Sequence, residues 1–217
     1  MTLIDPHEIA WNGRRMEGTM DGIAAEHIWK AYCGQTVLRD VTFQIPPGGW
    51  AALRGPSGAG KTTLLRLFLR LEAPNRGTVT GPDRWSAVFQ EDRLLEHLDG
   101  LSNLRLALGR AYRADAAAET LDALGLGDAG GKRVRDYSGG MRRRLALGRA
   151  LLSPSDALAL DEPFTGLDDD SRRRCVEAVE RLGAGRTILL ASHDPRDASD
   201  LGARTLDLTE LNREPEG

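Results

Sequence analysis

Apolar positions recur along the chain in two rhythms. Short runs of β-branched, aromatic and small apolar residues fall at Ala25–Lys30, Val41–Ile45, Trp50–Leu53, Gly77–Thr80, Trp85–Phe89, Ala157–Leu160, Thr187–Ala191 and Thr205–Leu208. Their length and bounding turn residues predict strands. Pro46-Pro47-Gly48-Gly49 predicts a turn between two of them. Lys61–Leu71 is apolar on most sides and predicts a buried helix, and Ser171–Leu182 predicts an amphipathic one. From Asp92 to Leu152 the strand signal vanishes. Leu-, Ala- and Arg-rich helical patterns replace it, broken at Gly109, Gly125-Leu126-Gly127 and Gly130-Gly131. The alternation predicts an α/β fold. One domain spans 23–217, with a core formed by 23–91 and 153–210 and a helical subdomain, 92–152, inserted between them. Residues 1–22 are polar and without period, and read as a disordered extension or a misplaced start, with Met16 and Met20 as alternative starts.

The chain of 217 residues has a net charge of -3 and a pI near 5.9, which argues against a nucleic-acid binder. No apolar run approaches the ~20 residues of a membrane span, and no signal-peptide pattern opens the chain. Cys33 and Cys175 stand without partners in a ligand-like spacing and read as reduced thiols.

Gly55-Pro56-Ser57-Gly58-Ala59-Gly60-Lys61-Thr62 fits G-x-x-x-x-G-K-[ST], after an apolar strand and at the start of a helix. Glycines at Gly55, Gly58 and Gly60 let amides around Ser57 turn onto phosphate oxygens. Lys61 can reach β- and γ-phosphates, Thr62 can ligate Mg²⁺, and Thr63 can add an α-phosphate contact. Lysine occurs only at Lys30, Lys61 and Lys132 in a chain that otherwise uses arginine, so its use in this loop is pointed. Ala157-Leu158-Ala159-Leu160-Asp161-Glu162 is a strand running into two carboxylates. Asp161 would hold Mg²⁺ and Glu162 would polarise an attacking water. Tyr137-Ser138-Gly139-Gly140-Met141 leads into a helix and offers free amides and a hydroxyl, a second anion site in a chain that already has one.

Phosphate loop, Ser-Gly-Gly and strand-Asp-Glu in this order resemble the ATP-binding cassette of ABC transporters, over about residues 24–210. The resemblance implies a P-loop NTPase with an antiparallel β part and an inserted helical subdomain. It implies ATP and Mg²⁺ as cofactors. Tyr32 resembles the aromatic that stacks on adenine. Gln90 resembles the glutamine that contacts Mg²⁺ and joins core to helical lobe. Thr165-Gly166-Leu167-Asp168 resembles the loop crossing the dimer interface, and His193 the switch histidine on the γ-phosphate.

The resemblance further implies a homodimer in which Ser138, Gly139 and Gly140 of a second ATPase subunit cap the γ-phosphate. It also implies permease partners, a solute-binding protein for an importer, and a peripheral place on the cytoplasmic face of the membrane. Tyr137 and Met141 replace the usual Leu and Gln. Tyr137 keeps an apolar anchor, whereas Met141 loses an amide where the partner's nucleotide should lie. Arg142, Arg143 and Arg144 read as a solvated helix face. Leu94, Leu95 and Leu98 fall where a cytoplasmic helix of the permease docks.

Val88–Leu95 and Asp161–Asp168 are similar to importers of the nitrate, sulfonate, taurine and thiamine-precursor group. No regulatory domain is expected beyond Glu210. An exporter ATPase, a non-transport ABC ATPase and a P-loop small-molecule kinase remain alternatives. The first is separated by its partner membrane protein, the second by co-purification with a permease, and the third by a need for a phosphate acceptor.

Overall fold

A computed structural model describes residues 22–212, so the expected extension lies outside the described residues except for Gly22. The chain opens with a hairpin, β1 (Ile23–Tyr32) and β2 (Gln35–Ile45), followed by β3 (Trp50–Arg54), α1 (Lys61–Phe68), β4 (Arg76–Thr80) and β5 (Trp85–Val88). Three longer helices come next, α2 (Gly100–Leu108), α3 (Ala114–Ala123) and α4 (Gly139–Leu152). Then β6 (Ala157–Asp161), α5 (Asp169–Gly183), β7 (Thr187–Ala191), α6 (Pro195–Asp200), β8 (Arg204–Asp207) and α7 (Leu208–Leu211) complete the described chain.

Every run expected to be a strand contains one. β2 begins six residues earlier than expected, at Gln35 instead of Val41, because the hairpin turn is tight: Cys33 (φ 48°) and Gly34 (φ 83°) both adopt the left-handed region. Two successive positive φ values match the right-handed twist of the flanking strands. Helix α1 stops three residues short of the expected Leu71. There the Arg70 N–H bonds the Leu67 carbonyl and the Leu71 N–H bonds the Arg66 carbonyl, with Arg70 at φ 55°. This is a left-handed helix stop, closed without glycine. The short helices α6 and α7 carried too few residues for a periodic signal.

Two sheets result. The antiparallel one has the order β2-β1-β4, and the parallel one β5-β6-β7-β3-β8. Along β7, Ile188 and Leu190 point into one apolar cluster, shared with the helices of 100–152 and α5, while Leu189 and Ala191 point into another, shared with α1 and the antiparallel sheet. A strand covered on both faces reads as a continuous apolar run, which is why β6 and β7 lack alternation. The parallel sheet therefore runs between the two clusters, with β6 and β7 buried along their whole length.

Candidate functional site

The sequence-predicted residues come from four loops that leave adjacent or nearby strands at the same edge. Gly55 follows β3, Asp161 ends β6, Gln90 lies two residues past β5, and His193 two past β7. These strands are consecutive in the order β5-β6-β7-β3 and all parallel, so the carboxyl ends converge. That edge is where open parallel sheets bind ligands.

The loop from Gly55 to Gly60 turns on glycine. Gly58, at φ 82°, has nothing within 4 Å of a would-be Cβ, so its backbone faces open space; Gly60, at φ 97°, would drive a Cβ to 2.5 Å from Leu38 Cδ2. One glycine is required by conformation and the other by packing as well. Lys61 is only 9% exposed, and its Nζ donates to the carbonyls of Gly55 (2.7 Å) and Pro56 (3.1 Å), spanning its own loop. Thr62 Oγ1 donates to Asp161 Oδ2 at 2.9 Å.

Asp161 is 3% exposed, and its second carboxylate oxygen, Oδ1, has no hydrogen-bond partner among the described residues. Burial raises its pKa above the ordinary carboxylate value, against the bond from Thr62. A buried carboxylate oxygen without a donor, beside a threonine hydroxyl, fits an oxygen-liganded cation such as Mg²⁺.

Glu162, the next residue, is held at φ 51°, outside the ordinary region for a side-chain-bearing residue. Its amide is bound by the Ala191 carbonyl at 2.8 Å, so the chain turns sharply off the strand end. This throws the carboxylate toward β7, where Glu162 Oε2 accepts from His193 Nδ1 at 2.8 Å and from Thr165 Oγ1 at 3.2 Å. The bond from Glu162 and its charge raise the His193 pKa. His193 is itself positioned from below. Ser192 Oγ accepts from the Asp194 amide and donates to buried Asp197, which Arg172 of α5 clamps from the other side.

Ser138 and Asp168 are both helix N-caps. Ser138 Oγ accepts from the Met141 amide at 3.2 Å, and Asp168 accepts from the Ser171 amide at 2.8 Å, which lowers the Asp168 pKa. Ser138 and Gly139 are exposed, and Gly140 lies against Leu167 of the loop that Asp168 ends, its would-be Cβ 3.4 Å from Leu167 Cδ2. Tyr137 is buried and its hydroxyl donates to the Ala129 carbonyl, so it anchors the turn as expected. Met141, expected at the nucleotide face, packs half-buried against the helical core. Tyr32 is exposed at the end of β1, with its hydroxyl bonded to Glu72.

The arginines after Met141 are not a solvated face. Arg143 is buried, donates to the Phe89 carbonyl and pairs with Asp92 at 3.3 Å, thereby gripping the chain on both sides of Gln90. Arg149 adds bonds to the carbonyls of Asp92 (2.9 Å) and Arg93 (2.7 Å), Arg142 pairs with Glu96 (3.1 Å), and Arg144 holds the Leu124 carbonyl (2.7 Å). Gln90 itself is exposed. Of the three leucines expected to dock a partner, Leu95 is 40% exposed, whereas Leu94 packs against the helical core and Leu98 is half-buried. The bond of Thr165 to Glu162 and the grip of Arg143 on Phe89 and Asp92 were not read from sequence, where Thr165 stood only in the interface loop and Arg143 only in a solvated face. The first had a legible signal, the place of Thr165 three residues after Glu162 in a turn; the second had none, because the partners of Arg143 are remote in the chain.

Amides shaped for phosphate, set beside a buried carboxylate with a free oxygen and a Glu-His pair one strand away, define a P-loop ATPase of the ATP-binding cassette type. The chain belongs to the ABC transporter family, whose family model matches residues 38–165. It is 39% identical over 197 residues to aliphatic sulfonates import ATP-binding protein SsuB 1 of Rhodococcus jostii (strain RHA1), covering 87% of this chain and 80% of that protein. To the protein of the same name from Paracoccus denitrificans (strain Pd 1222) it is 39% identical over 188 residues, covering 85% and 78%. Among solved structures, it is similar to a dimeric post-hydrolysis state of the ATP-binding cassette MJ0796 bound to ADP and Pi. That likeness has a TM-score of 0.74 and 25% identity, and covers 82% of this chain and 90% of the other.

Proposed function

We propose that two copies of this chain form the ATP-driven motor of an importer for small organic anions of the sulfonate class. The names of the two relatives support the cargo class and the direction. No helix among the described residues is long and apolar enough to cross a membrane. In this reading the permease is a separate membrane protein, and a solute-binding protein delivers the cargo. The motor would sit on the cytoplasmic face of the membrane, docked to that permease.

The observation that carries the catalytic reading is the Glu162–His193 pair at 2.8 Å, one strand from the Thr62–Asp161 contact. ATP lies with its phosphates on the amides of Gly55, Ser57, Gly58 and Gly60 and its base on Tyr32. Lys61 exchanges the carbonyls of Gly55 and Pro56 for phosphate oxygens, and Thr63 adds a contact to the α-phosphate. Thr62, Asp161 Oδ1 and Gln90 would hold Mg²⁺, which when bound neutralises charge on the β- and γ-phosphates. Glu162 accepts a proton from the attacking water as its oxygen bonds the γ-phosphorus. The bond to the bridging oxygen breaks, and its electron pair leaves with ADP. His193 donates to a γ-phosphate oxygen through its remaining ring nitrogen. Such positioning and charge stabilisation are most of what phosphoryl transfer asks of a protein.

Ser138, Gly139 and Gly140 of the second copy close over that γ-phosphate, with the loop before Asp168 crossing between copies. The exposure of Ser138 and Gly139 supports this. The N-terminus of a 14-residue helix carries partial positive charge, which suits a phosphate. A two-fold arrangement then follows, since each copy lends the other the same half-site.

The test is growth and uptake. A strain deleted for this chain is supplied with an alkanesulfonate as sole sulfur source, with sulfate as control. Loss of growth on the sulfonate alone, restored by the wild-type chain and not by Lys61→Ala, is the expected result. Unimpaired sulfonate uptake in the deletion strain overturns the cargo assignment.

A further inference from the structure

Tyr32 is tied to the far end of the helix that begins at the phosphate loop. Its hydroxyl donates to Glu72, which lies just beyond α1. Glu72 also pairs with Lys30 Nζ at 3.3 Å and with Arg66 Nη1 at 3.3 Å, so one carboxylate collects three donors. Lys30 lies 5.0 Å from the centroid of the Tyr32 ring and donates to the Ala73 carbonyl at 2.8 Å. Two further bonds fasten the same strand end to the same loop: the Ala31 amide donates to Asn75 Oδ1 at 2.7 Å, and the Asn75 amide to the Trp29 carbonyl at 2.8 Å.

These contacts tie the antiparallel sheet to the far end of α1, in addition to the packing of Leu38 against Gly60 at its near end. β1 belongs to the antiparallel sheet, whereas α1 starts at Lys61 and Thr62, under the phosphates. A rigid strut from Glu72 back along α1 therefore sets the distance between the ring at Tyr32 and the loop at Gly55–Thr62. The ammonium of Lys30 stands over the Tyr32 ring, and the side chain remains exposed enough to meet a flat partner. The carboxylate has a further reason to stay ionised: burial pushes its pKa up, but the bonds from Tyr32 and Lys30 and the charges of Lys30 and Arg66 outweigh burial and hold it below the ordinary value.

We propose that Glu72 is a positioning residue for the nucleotide base, locking the Tyr32 ring at a set distance from the phosphate loop. This rests on the reading that Tyr32 stacks on adenine. Without the lock the ring would sample several rotamers, and ordering it would draw on binding energy. The phosphates would bind as before, because no bond of Glu72 reaches the loop.

The experiment measures binding of ADP and of inorganic tripolyphosphate to the full chain, by calorimetry and competition, in wild type and in Glu72→Ala, Tyr32→Phe and Tyr32→Ala. A charge-assisted hydrogen bond and its neighbours translate into about a fivefold to tenfold weaker ADP affinity in Glu72→Ala. Tyr32→Phe, which keeps the ring and loses the hydroxyl's bonds to Glu72 and Thr63, should lose at least as much, and Tyr32→Ala should lose more. Tripolyphosphate affinity should stay constant throughout. Full ADP affinity in both Glu72→Ala and Tyr32→Phe, with loss in Tyr32→Ala, overturns the lock while sparing the stacking reading. Full affinity in all three overturns both. Parallel loss of ADP and tripolyphosphate affinity in Glu72→Ala means general damage to α1 and also overturns the lock. Tyr32→Phe decides the matter if Glu72→Ala does not fold.

Discussion

Thr62 Oγ1 meets Asp161 Oδ2 at 2.9 Å, although 99 residues separate the two in the chain. The contact satisfies one oxygen of a buried carboxylate and leaves the other without a donor among the described residues. An ionised, half-satisfied carboxylate in such a place costs folding free energy, which a bound cation recovers.

Asp161→Asn should therefore fold at least as stably as the parent without nucleotide and lose the thermal stabilisation by Mg²⁺ and ATP. The sign with pH follows. Burial raises the folded pKa of Asp161 above its ordinary value of 3.8, so the folded state binds more protons and stability falls as pH rises from 3.8 through the raised value. The variant should lack that part of the pH dependence. Denaturant melts at stepped pH, with and without Mg²⁺ and ATP, check both; a parent and variant with the same Mg²⁺ response would refute the cation site.

Glu162→Gln should lower ATP turnover by about 10²–10⁴-fold, the range for loss of a positioned base. ATP binding should persist, and the ATP-bound protein should elute as a dimer in size-exclusion chromatography. A strictly monomeric variant with normal turnover would reject both the base and the closed dimer.

His193 should titrate above 6.5. The bond from Glu162 is the larger cause and its charge the second. The protonated pair therefore adds stability that is fully present below 6.5 and is lost as pH rises through the folded value. In Glu162→Gln the His193 midpoint, followed by NMR, should move down toward 6.5. An unchanged midpoint would mean that the pair does not form in solution.

Arg143→Ala should destabilise the fold by about 2–3 kcal/mol, because it strands half-buried Asp92 and frees the Phe89 carbonyl. Asp92→Ala should cost less, since Arg143 keeps its bond to Phe89. The double variant should cost less than the sum, a coupling that chemical denaturation of the four proteins measures.

Leu95→Ala should leave the ATPase activity of the isolated subunit unchanged and lower cargo uptake in the assembled transporter. Leu95 is the one of the three candidate leucines left largely exposed, and removing it disturbs no core. Equal loss of ATPase activity and uptake would place Leu95 in folding and not in docking.

Much of this fold was legible because its cues are local. Gly58 and Gly60 announce a loop that other residues cannot trace, Lys61 and Thr62 sit where a helix must start, and the apolar runs at Ala157–Leu160 and Thr187–Ala191 can only be strands covered on both faces. What misled was equally local. A run of three arginines, Arg142–Arg144, looks like a wet helix face until the loop it grips is in place, and Leu94 looks as free as Leu95. Glu72 gave no cue at all, for its value lies in Tyr32, Lys30 and Arg66 meeting it from two elements.

By itself the sequence determined the chemistry available to this protein: a phosphate-binding loop, a strand that delivers Asp161 and Glu162 to an end, and a capped helix presenting Ser138 and Gly139. These follow from backbone conformation and burial within a few residues of each other. Only the tertiary structure decided that Gln90, Glu162, His193 and the loop at Gly55 share one edge. That depends on the strand order β5-β6-β7-β3, and the order is set by pairings and two-sided burial among segments far apart in the chain.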